Sequence, residues 1–565
     1  MDSAMRPFLT IVFLILAGCV LPAYAQLVST GDTSKTKFSR EDVRAAQKLM
    51  GLDFNNQKID SMLDGLADQR RNYEAIRKCT VPNSVPPAIL FNPIPKDFKI
   101  PNAKKKQVWS FPGKVTRPAN LEDVAFYSVA RLAELIRTKK VTSVELTNMY
   151  IARLKRFDPI LHCVITLTED RALRMARQAD KEIAAGKYRG PLHGIPYGVK
   201  DLLAVKGYPT TWGAEPYRDQ TIDEDASVVK KLDAAGAVLV AKLTLGALAM
   251  DDVWFGGLTR NPWDTSKGSS GSSAGSASAT SAGLVAFGIG SETWGSIVSP
   301  STVCGTTGLR PTYGRVSRVG AMALSWSMDK LGPICRTVED CALVFNAIQG
   351  ADGIDQTLYE APFNYSAKTD IRKLRIGYLQ MEFDSAKDNK VNNDSVLTVF
   401  RSMGIELIPV QLPKYPMDDL SIILTAEAGA AFDDLTRSGR DSMLSRQTKG
   451  SWPNIFRLSR FIPAVEYIQA NRVRYLAIQD MEKLMNQVDV IITPPWEGNN
   501  SIMTNLTGHP CVVVPDGFSK EGTPVSITFL GKLFGEADLL AVAKKYQDAT
   551  TCHVMHPKMF INKEK

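Results

Sequence analysis

Apolar residues recur at helical intervals in several parts of the chain. One stripe predicts a helix near residues 129–136 because its members are three and four residues apart: Val129, Leu132, Ala133 and Ile136. Next along the chain, Thr142-Ser143-Val144-Glu145 matches a capping box, in which the hydroxyl and the carboxylate each satisfy a free backbone N–H. A second helix is therefore predicted to begin after Thr142.

Helical patterns alternate with short apolar strands further along. Residues 225–235 are predicted to form a helix that Gly236 ends, and residues 237–240 follow as a buried strand. Apolar strand patterns of the same kind return at residues 374–378 and 488–492. This alternation predicts an α/β protein whose sheet is covered by helices on both faces.

The N-terminus is predicted to carry an export signal. Arg6 precedes an apolar run, residues 8–17, that is too short to span a bilayer, and Ala23-Tyr24-Ala25 predicts cleavage by a signal peptidase after Ala25. Leu16-Ala17-Gly18-Cys19 also resembles a bacterial lipobox, in which Cys19 would be lipidated. Both alternatives stay open, and both export the protein to the periplasm or the medium. No later run is apolar enough to predict a transmembrane span.

Residues 26–120 differ from the rest of the chain. Two helical patterns lie within residues 39–79, and prolines recur between residues 82 and 118, which predicts an extended connector. We therefore predict three parts: a signal peptide (residues 1–25), a helical extension with a Pro-rich connector (26–120) and a main domain (121–565).

Composition limits the class of protein. The 565 residues are 44% apolar and 22% charged, as in soluble enzymes, with a net charge of +9. The basic residues are spread along the chain among 59 acidic ones, so no nucleic-acid partner is predicted. Eight cysteines in so long a chain are not a disulfide scaffold, and the five histidines match no zinc motif. Disulfide pairing and oligomeric state stay open.

Residues 268–283 contain only Gly, Ser, Ala and Thr. A flexible linker is one interpretation of such a run. However, Trp263 precedes it, the apolar residues 284–287 follow it, and its composition shifts from Gly/Ser to Ala/Ser. We therefore predict a closely packed helix whose N-terminal amides face a site.

This run and its neighbours resemble the amidase signature family. The matching motifs, in the order of the family, are residues 193–201, 261–264, 271–276, 290–297, 304–305, 308–317, 329–333 and 505–510. Several motifs in the right order are far more specific than one Gly/Ser run, and the similarity extends over residues 121–550. The resemblance implies an α/β/α sandwich with a large mixed central sheet and helices on both faces. It implies neither a metal nor an organic cofactor.

The resemblance also implies the catalytic residues. By position in the motifs, Ser296 is the nucleophile, Ser272 bridges a proton and Lys200 is the base. A serine hydroxyl needs an adjacent base, and a lysine serves only when neutral, which requires a pKa well below its usual value of about 10.4. The oxyanion hole would consist of the backbone N–H groups of four consecutive residues, which are Thr293, Trp294, Gly295 and Ser296.

Two positions depart from the family pattern. Trp294 stands where a smaller residue is common, and we hypothesise that its indole walls the acyl pocket and favours apolar or aromatic substrates. Val298 replaces an Arg that often follows the nucleophile, so no substrate contact is inferred from that Arg.

The predicted reaction is hydrolysis of a small-molecule carboxamide through an acyl-enzyme on Ser296. A glutamine-hydrolysing amidotransferase subunit shares the triad, but the export signal argues against it. An exported non-catalytic binding protein is the alternative from another class. An α/β-hydrolase is disfavoured, since the G-x-S-x-G match at Ser273 lies in a Gly/Ser-rich run and no Asp and His motif supports it. The identity of the amide is not predicted.

Overall fold

The computed structural model describes residues 38–561. The predicted signal peptide and the lipid attachment at Cys19 lie outside these residues and stay predictions. The chain divides into a small unit that ends at Val81 and a large unit that begins at Pro82. None of the helices between residues 38 and 561 is long and apolar enough to cross a bilayer.

The described part of the small unit contains two helices, as the sequence predicts. Helix α1 is Arg40–Leu49 and helix α2 is Asn56–Arg77. Ser39 caps α1 in a reciprocal capping box with Asp42.

Residues 82–120 form no helix or strand, in agreement with their proline pattern. They nevertheless pack against the rest of the large unit, to which they belong, and the sequence did not indicate this. The side chain of Asn83 donates a hydrogen bond to the carbonyl of Ala323 (2.8 Å), and Gln107 donates one to the carbonyl of Phe363 (2.9 Å). The stretch is therefore fixed structure and not a free connector.

The remaining α-helices all belong to the large unit. They are α3 (Val129–Arg137), α4 (Ser143–Leu161), α5 (Glu169–Ala184), α6 (Ser227–Ala234), α7 (Ala274–Ser281), α8 (Val298–Cys304), α9 (Val338–Ile348), α10 (Gln380–Ser385), α11 (Lys390–Ser402), α12 (Ile422–Ala431), α13 (Asp433–Arg437), α14 (Trp452–Ser459), α15 (Ala464–Met485), α16 (Asn500–Thr507) and α17 (Glu536–Ala549). The predicted capping box is present at the start of α4, where Thr142 and Glu145 exchange hydrogen bonds.

The strands follow the same order. They are β1 (Val164–Leu167), β2 (Pro196–Lys200), β3 (Val238–Leu243), β4 (Val253–Trp254), β5 (Gly257–Leu258), β6 (Phe287–Glu292), β7 (Thr307–Arg310), β8 (Lys330–Cys335), β9 (Ile376–Leu379), β10 (Leu407–Val410), β11 (Val490–Thr493), β12 (Cys511–Phe518) and β13 (Pro524–Gly531).

Eleven of these strands form one mixed sheet in the order β1-β3-β2-β6-β8-β7-β12-β13-β11-β9-β10. Strands β3, β2 and β6 are parallel neighbours, as are β11, β9 and β10, and the strands between these groups pair antiparallel. Along β3, Leu239 belongs to one apolar cluster while Val238 and Val240 belong to another. Both faces of the sheet are therefore covered, which confirms the predicted α/β/α architecture.

Candidate active site

The predicted catalytic residues gather where two parallel strands end. Strand β2 ends at Lys200, and its parallel neighbour β6 ends at Glu292. The carboxyl ends of parallel strands meet at one edge of a sheet, which is where open α/β folds place their ligands. Ser272 and Ser273 immediately precede α7, which packs against β6.

The Gly/Ser/Ala run forms a packed helix because larger side chains would not fit. Every residue of α7 is buried. A Cβ on Gly275 would lie 2.4 Å from the carbonyl oxygen of Cys163, and one on Gly288 of β6 would lie 3.0 Å from the carbonyl oxygen of Ser276. Small residues on both elements let helix and strand approach closely, so the linker interpretation is wrong.

Three serine hydroxyls surround the amine of Lys200, which is fully buried. The distance from its Nζ is 2.8 Å to the Oγ of Ser272, 2.9 Å to that of Ser291 and 3.1 Å to that of Ser273. No carboxylate forms an ion pair with this amine in the described part of the chain. Ser291 lies in the motif of residues 290–297, but the motif assigned it no role, because its contact with Lys200 arises from the pairing of β2 with β6.

Burial sets the protonation state of Lys200. The loss of water around the amine lowers its pKa to about 7, against the weaker opposing effects of the carboxylates of Asp329 and Glu292. A substantial fraction of the amine is therefore neutral near pH 7. This is the state that a general base requires.

The hydroxyls suit a neutral amine. The hydroxyl of Ser273 donates its proton to the carbonyl oxygen of Ser291 (3.0 Å). The Oγ of Ser273 can therefore only accept in its hydrogen bond with the amine of Lys200. A neutral amine has two N–H groups and one lone pair. With its N–H groups directed to Ser273 and Ser291, its lone pair is free to accept the hydroxyl proton of Ser272.

Ser296 lies in the loop between β6 and α8. Its carbonyl oxygen accepts a hydrogen bond from the N–H of Ser273 (3.1 Å), which joins this loop to the start of α7. Its hydroxyl forms no hydrogen bond within residues 38–561, so the structure does not join it to Ser272 directly. In apo enzymes, such catalytic contacts often tighten only when substrate binds.

The backbone of this loop presents free N–H groups. Gly295 has φ = +83°, a backbone conformation that residues with a side chain adopt only with strain. This conformation explains why the motif has a glycine at this position. Among the described residues, no carbonyl or side chain accepts a hydrogen bond from the amides of residues 293–296. Unpaired amides are what a developing oxyanion requires.

The side chain of Glu292 holds the same loop in place through hydrogen bonds. Its carboxylate accepts hydrogen bonds from the N–H groups of Ile297 (2.9 Å) and Val298 (3.0 Å), and it pairs with Arg310 at 2.6 Å. Burial alone would raise the pKa of Glu292, but the charge of Arg310 and the hydrogen bonds, including one from Asn505, lower it to about 2. The carboxylate is thus ionised and holds the nucleophile loop.

The family model that describes the amidases matches residues 145–499 of this chain. The chain belongs to the amidase family. Among curated relatives, it is 35% identical over 486 residues to the A-type subunit of glutamyl-tRNA(Gln) amidotransferase from Chloroflexus aggregans, covering 78% of this chain and 99% of that protein. The corresponding protein of Geobacter metallireducens is 34% identical over 474 residues, with 75% and 98% covered.

Solved amidases share the fold. Peptide amidase from Stenotrophomonas maltophilia superposes with a TM-score of 0.69 at 29% identity, covering 76% of this chain and 98% of that one. The A-type amidotransferase subunit from Thermotoga maritima gives 0.63 at 26% identity, with 75% and 95% covered. The fold predicted from the motifs is therefore that of the amidase family.

Asp201, which follows Lys200 in this amidase-family protein, has a structural partner. Its carboxylate pairs with the amine of Lys242 at 2.7 Å, and it accepts hydrogen bonds from the N–H (2.8 Å) and hydroxyl (2.6 Å) of Thr211. Both charged side chains are fully buried. Asp201 therefore fixes the segment that follows β2.

A cavity of about 1370 Å³ adjoins the site, with Ser291 and Thr293 in its lining. Trp294 is not among the lining residues, and its side chain is 38% exposed. Ser296 is not among the lining residues either, so this cavity does not test the hypothesis that the Trp294 indole walls the acyl pocket, which stays a hypothesis.

Proposed function

We propose that this amidase hydrolyses a carboxamide to a carboxylate and ammonia or an amine through an acyl-enzyme on Ser296. The observation that carries the proposal is the environment of Lys200, whose fully buried amine is hydrogen-bonded to Ser272 and forms no ion pair within residues 38–561. Such an environment keeps a lysine partly neutral at pH 7 and directs it to a hydroxyl.

Acylation begins when neutral Lys200 takes the proton of Ser272 while Ser272 takes that of Ser296. The Ser296 oxygen then attacks the amide carbon, and negative charge develops on the carbonyl oxygen. Each backbone N–H directed at this oxygen contributes about 3–4 kcal/mol of transition-state stabilisation.

Collapse of the tetrahedral intermediate breaks the C–N bond. The relay runs backward in this step, so the proton on Lys200 passes through Ser272 to the leaving nitrogen, which would otherwise depart as an unstable anion. Water then attacks the acyl-enzyme by the same route and releases the carboxylate.

Two measurements test this proposal. A fluorophosphonate should label Ser296 in the wild-type protein, whereas Ser296→Ala should stay unlabelled and should hydrolyse no amide. A wild-type protein that neither reacts with the probe nor hydrolyses any amide would be a non-catalytic binding protein, and the proposal would fail.

The curated relatives favour a second candidate, glutamine hydrolysis as part of an amidotransferase. Their matches cover nearly the whole of each relative. Ammonia release from free glutamine, compared with release from simple aliphatic and aryl amides, separates the two functions. A kcat/KM for glutamine at least tenfold above that of every other amide would favour the amidotransferase. The predicted export signal would then have to be wrong as well.

A further inference from the structure

The cavity beside the site is larger than a small amide needs. Pockets for drug-sized ligands have volumes of about 300–1000 Å³, and this one exceeds that range. Its lining passes from Ser291 and Thr293 at the site to strongly exposed residues, among them Ile89 and Leu476, so it leads to the surface.

The charged residues of the lining already have partners inside the protein. These residues are Arg318, Asp329, Asp355, Glu427 and Arg472. Arg318 pairs with Asp355 at 3.5 Å, and Asp329 accepts hydrogen bonds from the hydroxyl of Thr293 (2.6 Å) and from two backbone amides. The contacts of these three residues hold loops of the protein together.

Glu427 is also saturated. Its oxygens accept hydrogen bonds from the hydroxyls of Ser325 (2.6 Å) and Tyr467 (2.9 Å) and from two groups of Ser327. Arg472 lies at the exposed end and donates to Gln469 (2.9 Å). Apart from Arg472 at this exposed end, the charged residues of the described lining are already paired inside the protein. A substrate that carries both an ammonium and a carboxylate group close to the site would therefore bury its charges without a partner there, which is costly away from water.

One wall of the cavity is a strap, which we define as residues 84–91. Asn83 holds its first end: the side chain donates to the carbonyl of Ala323 (2.8 Å) and accepts from the N–H of the same residue (2.8 Å). Phe91 holds its other end, with its ring against Tyr313 (centroids 5.0 Å apart) and under the guanidinium of Arg474 (3.5 Å). The strap has no helix or strand, so these anchors fix its course.

The strap presents apolar side chains despite its exposure. Ile89 is 87% exposed and Leu90 is 42% exposed, and both line the cavity. Across the mouth, Ile468, Tyr475 and Leu476 of α15 are also exposed by half or more. Apolar residues grouped around a cavity mouth are typical of a site that binds an apolar ligand.

We propose that the substrate is an amide bearing an extended apolar chain, and that the strap and the exposed face of α15 bind the outer part of this chain. The proposal rests on the proposed function and adds its substrate class. Burial of the apolar chain in the cavity favours binding because its atoms leave water. Free glutamine is disfavoured because the charged lining residues close to the site already have partners inside the protein.

Two series of linear amides test this proposal on the full-length protein. One lengthens the acyl chain of primary amides from about two to about ten carbons, and the other lengthens the alkyl chain of N-alkyl acetamides. We expect kcat/KM to rise with length in one series, by up to about three- to fourfold per methylene that enters the cavity. The series that rises identifies the side of the amide that the cavity holds.

Ile89→Asp tests the strap itself. The side chain is 87% exposed, so the change should not disturb packing. We expect it to lower kcat/KM for the longest amide at least fivefold and to leave the shortest amide unchanged. Val391→Asp is the matched control, because Val391 is 84% exposed on α11 and is not among the residues that line the cavity. This control should leave kcat/KM unchanged for both the longest and the shortest amide.

The outcomes separate the two proposals. If the fluorophosphonate labels Ser296 and amides are hydrolysed, but kcat/KM is flat along both series, or glutamine or short peptide amides are preferred, the substrate class proposed here is overturned and amide hydrolysis stands. If Ser296 is unlabelled and no amide is hydrolysed, the proposed function itself fails.

Discussion

Two buried lysines lie on neighbouring strands of this amidase-family protein and face different partners. Lys242 of β3 has the carboxylate of Asp201 at 2.7 Å, whereas Lys200 of β2 has three serine hydroxyls and no ion pair among the described residues. Both side chains are fully buried. Burial lowers the pKa of each, but at Lys242 the adjacent Asp201 opposes the shift.

The contrast shows that burial alone does not determine the role of a lysine. A buried amine beside a carboxylate forms an ion pair that fixes local structure, and removing either partner leaves a charge without compensation. A buried amine among neutral hydroxyls has no counter-charge, so it becomes a base near neutral pH. The same strand arrangement thus holds a structural lysine and a candidate catalytic lysine side by side.

The largest effect is expected from Lys200→Met. Removing the base should lower kcat by about 10³-fold, within the range for general base catalysis. The fold should persist, because Met fills most of the same volume and no ionised partner is left alone. Steady-state kinetics on the best amide substrate measure the loss of kcat, and circular dichroism checks that the variant is folded. A loss below tenfold would mean that another group is the base.

Lys242→Met should have the opposite profile. It leaves Asp201 buried without its cation, so the free energy of unfolding should fall by about 3–5 kcal/mol, while the folded fraction keeps its chemistry. Urea unfolding followed by tryptophan fluorescence measures the change. Adding Asp201→Asn removes the orphaned charge and should restore part of the loss. If Lys242→Met had the same free energy of unfolding as Lys200→Met, the two lysines would not differ in their structural role.

Ser291→Ala should have the smallest effect. It removes one hydrogen-bond acceptor of the Lys200 amine, and this acceptor favours the charged form, so the pKa seen in the pH–rate profile should fall by less than about one unit. We expect kcat on the high-pH plateau to fall by about three- to tenfold because the amine is less well oriented. Unchanged kinetics and an unchanged pH profile would remove Ser291 from the site.

Much of the fold could be predicted because local signals were strong. The capping box at Thr142, the helix end at Gly236 and the apolar strand after it all belong to short segments whose physics is local. The course of residues 82–120 could not be predicted, since their contacts, such as that of Asn83 with Ala323, join residues far apart in the chain.

Only those site residues whose roles the motifs imply could be predicted from the sequence. The motifs assign roles to Ser272, Ser296 and Lys200. Ser291 and Glu292 also lie in a motif, but their contacts arise from strand pairing and from the path of the loop, which the motif does not reveal. The pairing of Asp201 with Lys242 depends on the register of β2 against β3, which no local pattern encodes.

We propose that the amine of Lys200 is partly neutral near pH 7 and that its neutral form activates Ser296 through Ser272. The most direct test is the rate of fluorophosphonate labelling of Ser296 as a function of pH, in the wild type and in Lys200→Met. The neutral amine is the active form, so the wild-type rate should fall as pH drops through about 7 and level off above it. The variant should label slowly and without this inflection. An identical pH dependence in both proteins, or a wild-type inflection near the ordinary lysine pKa of about 10.4, would contradict the proposed role of Lys200 as the base.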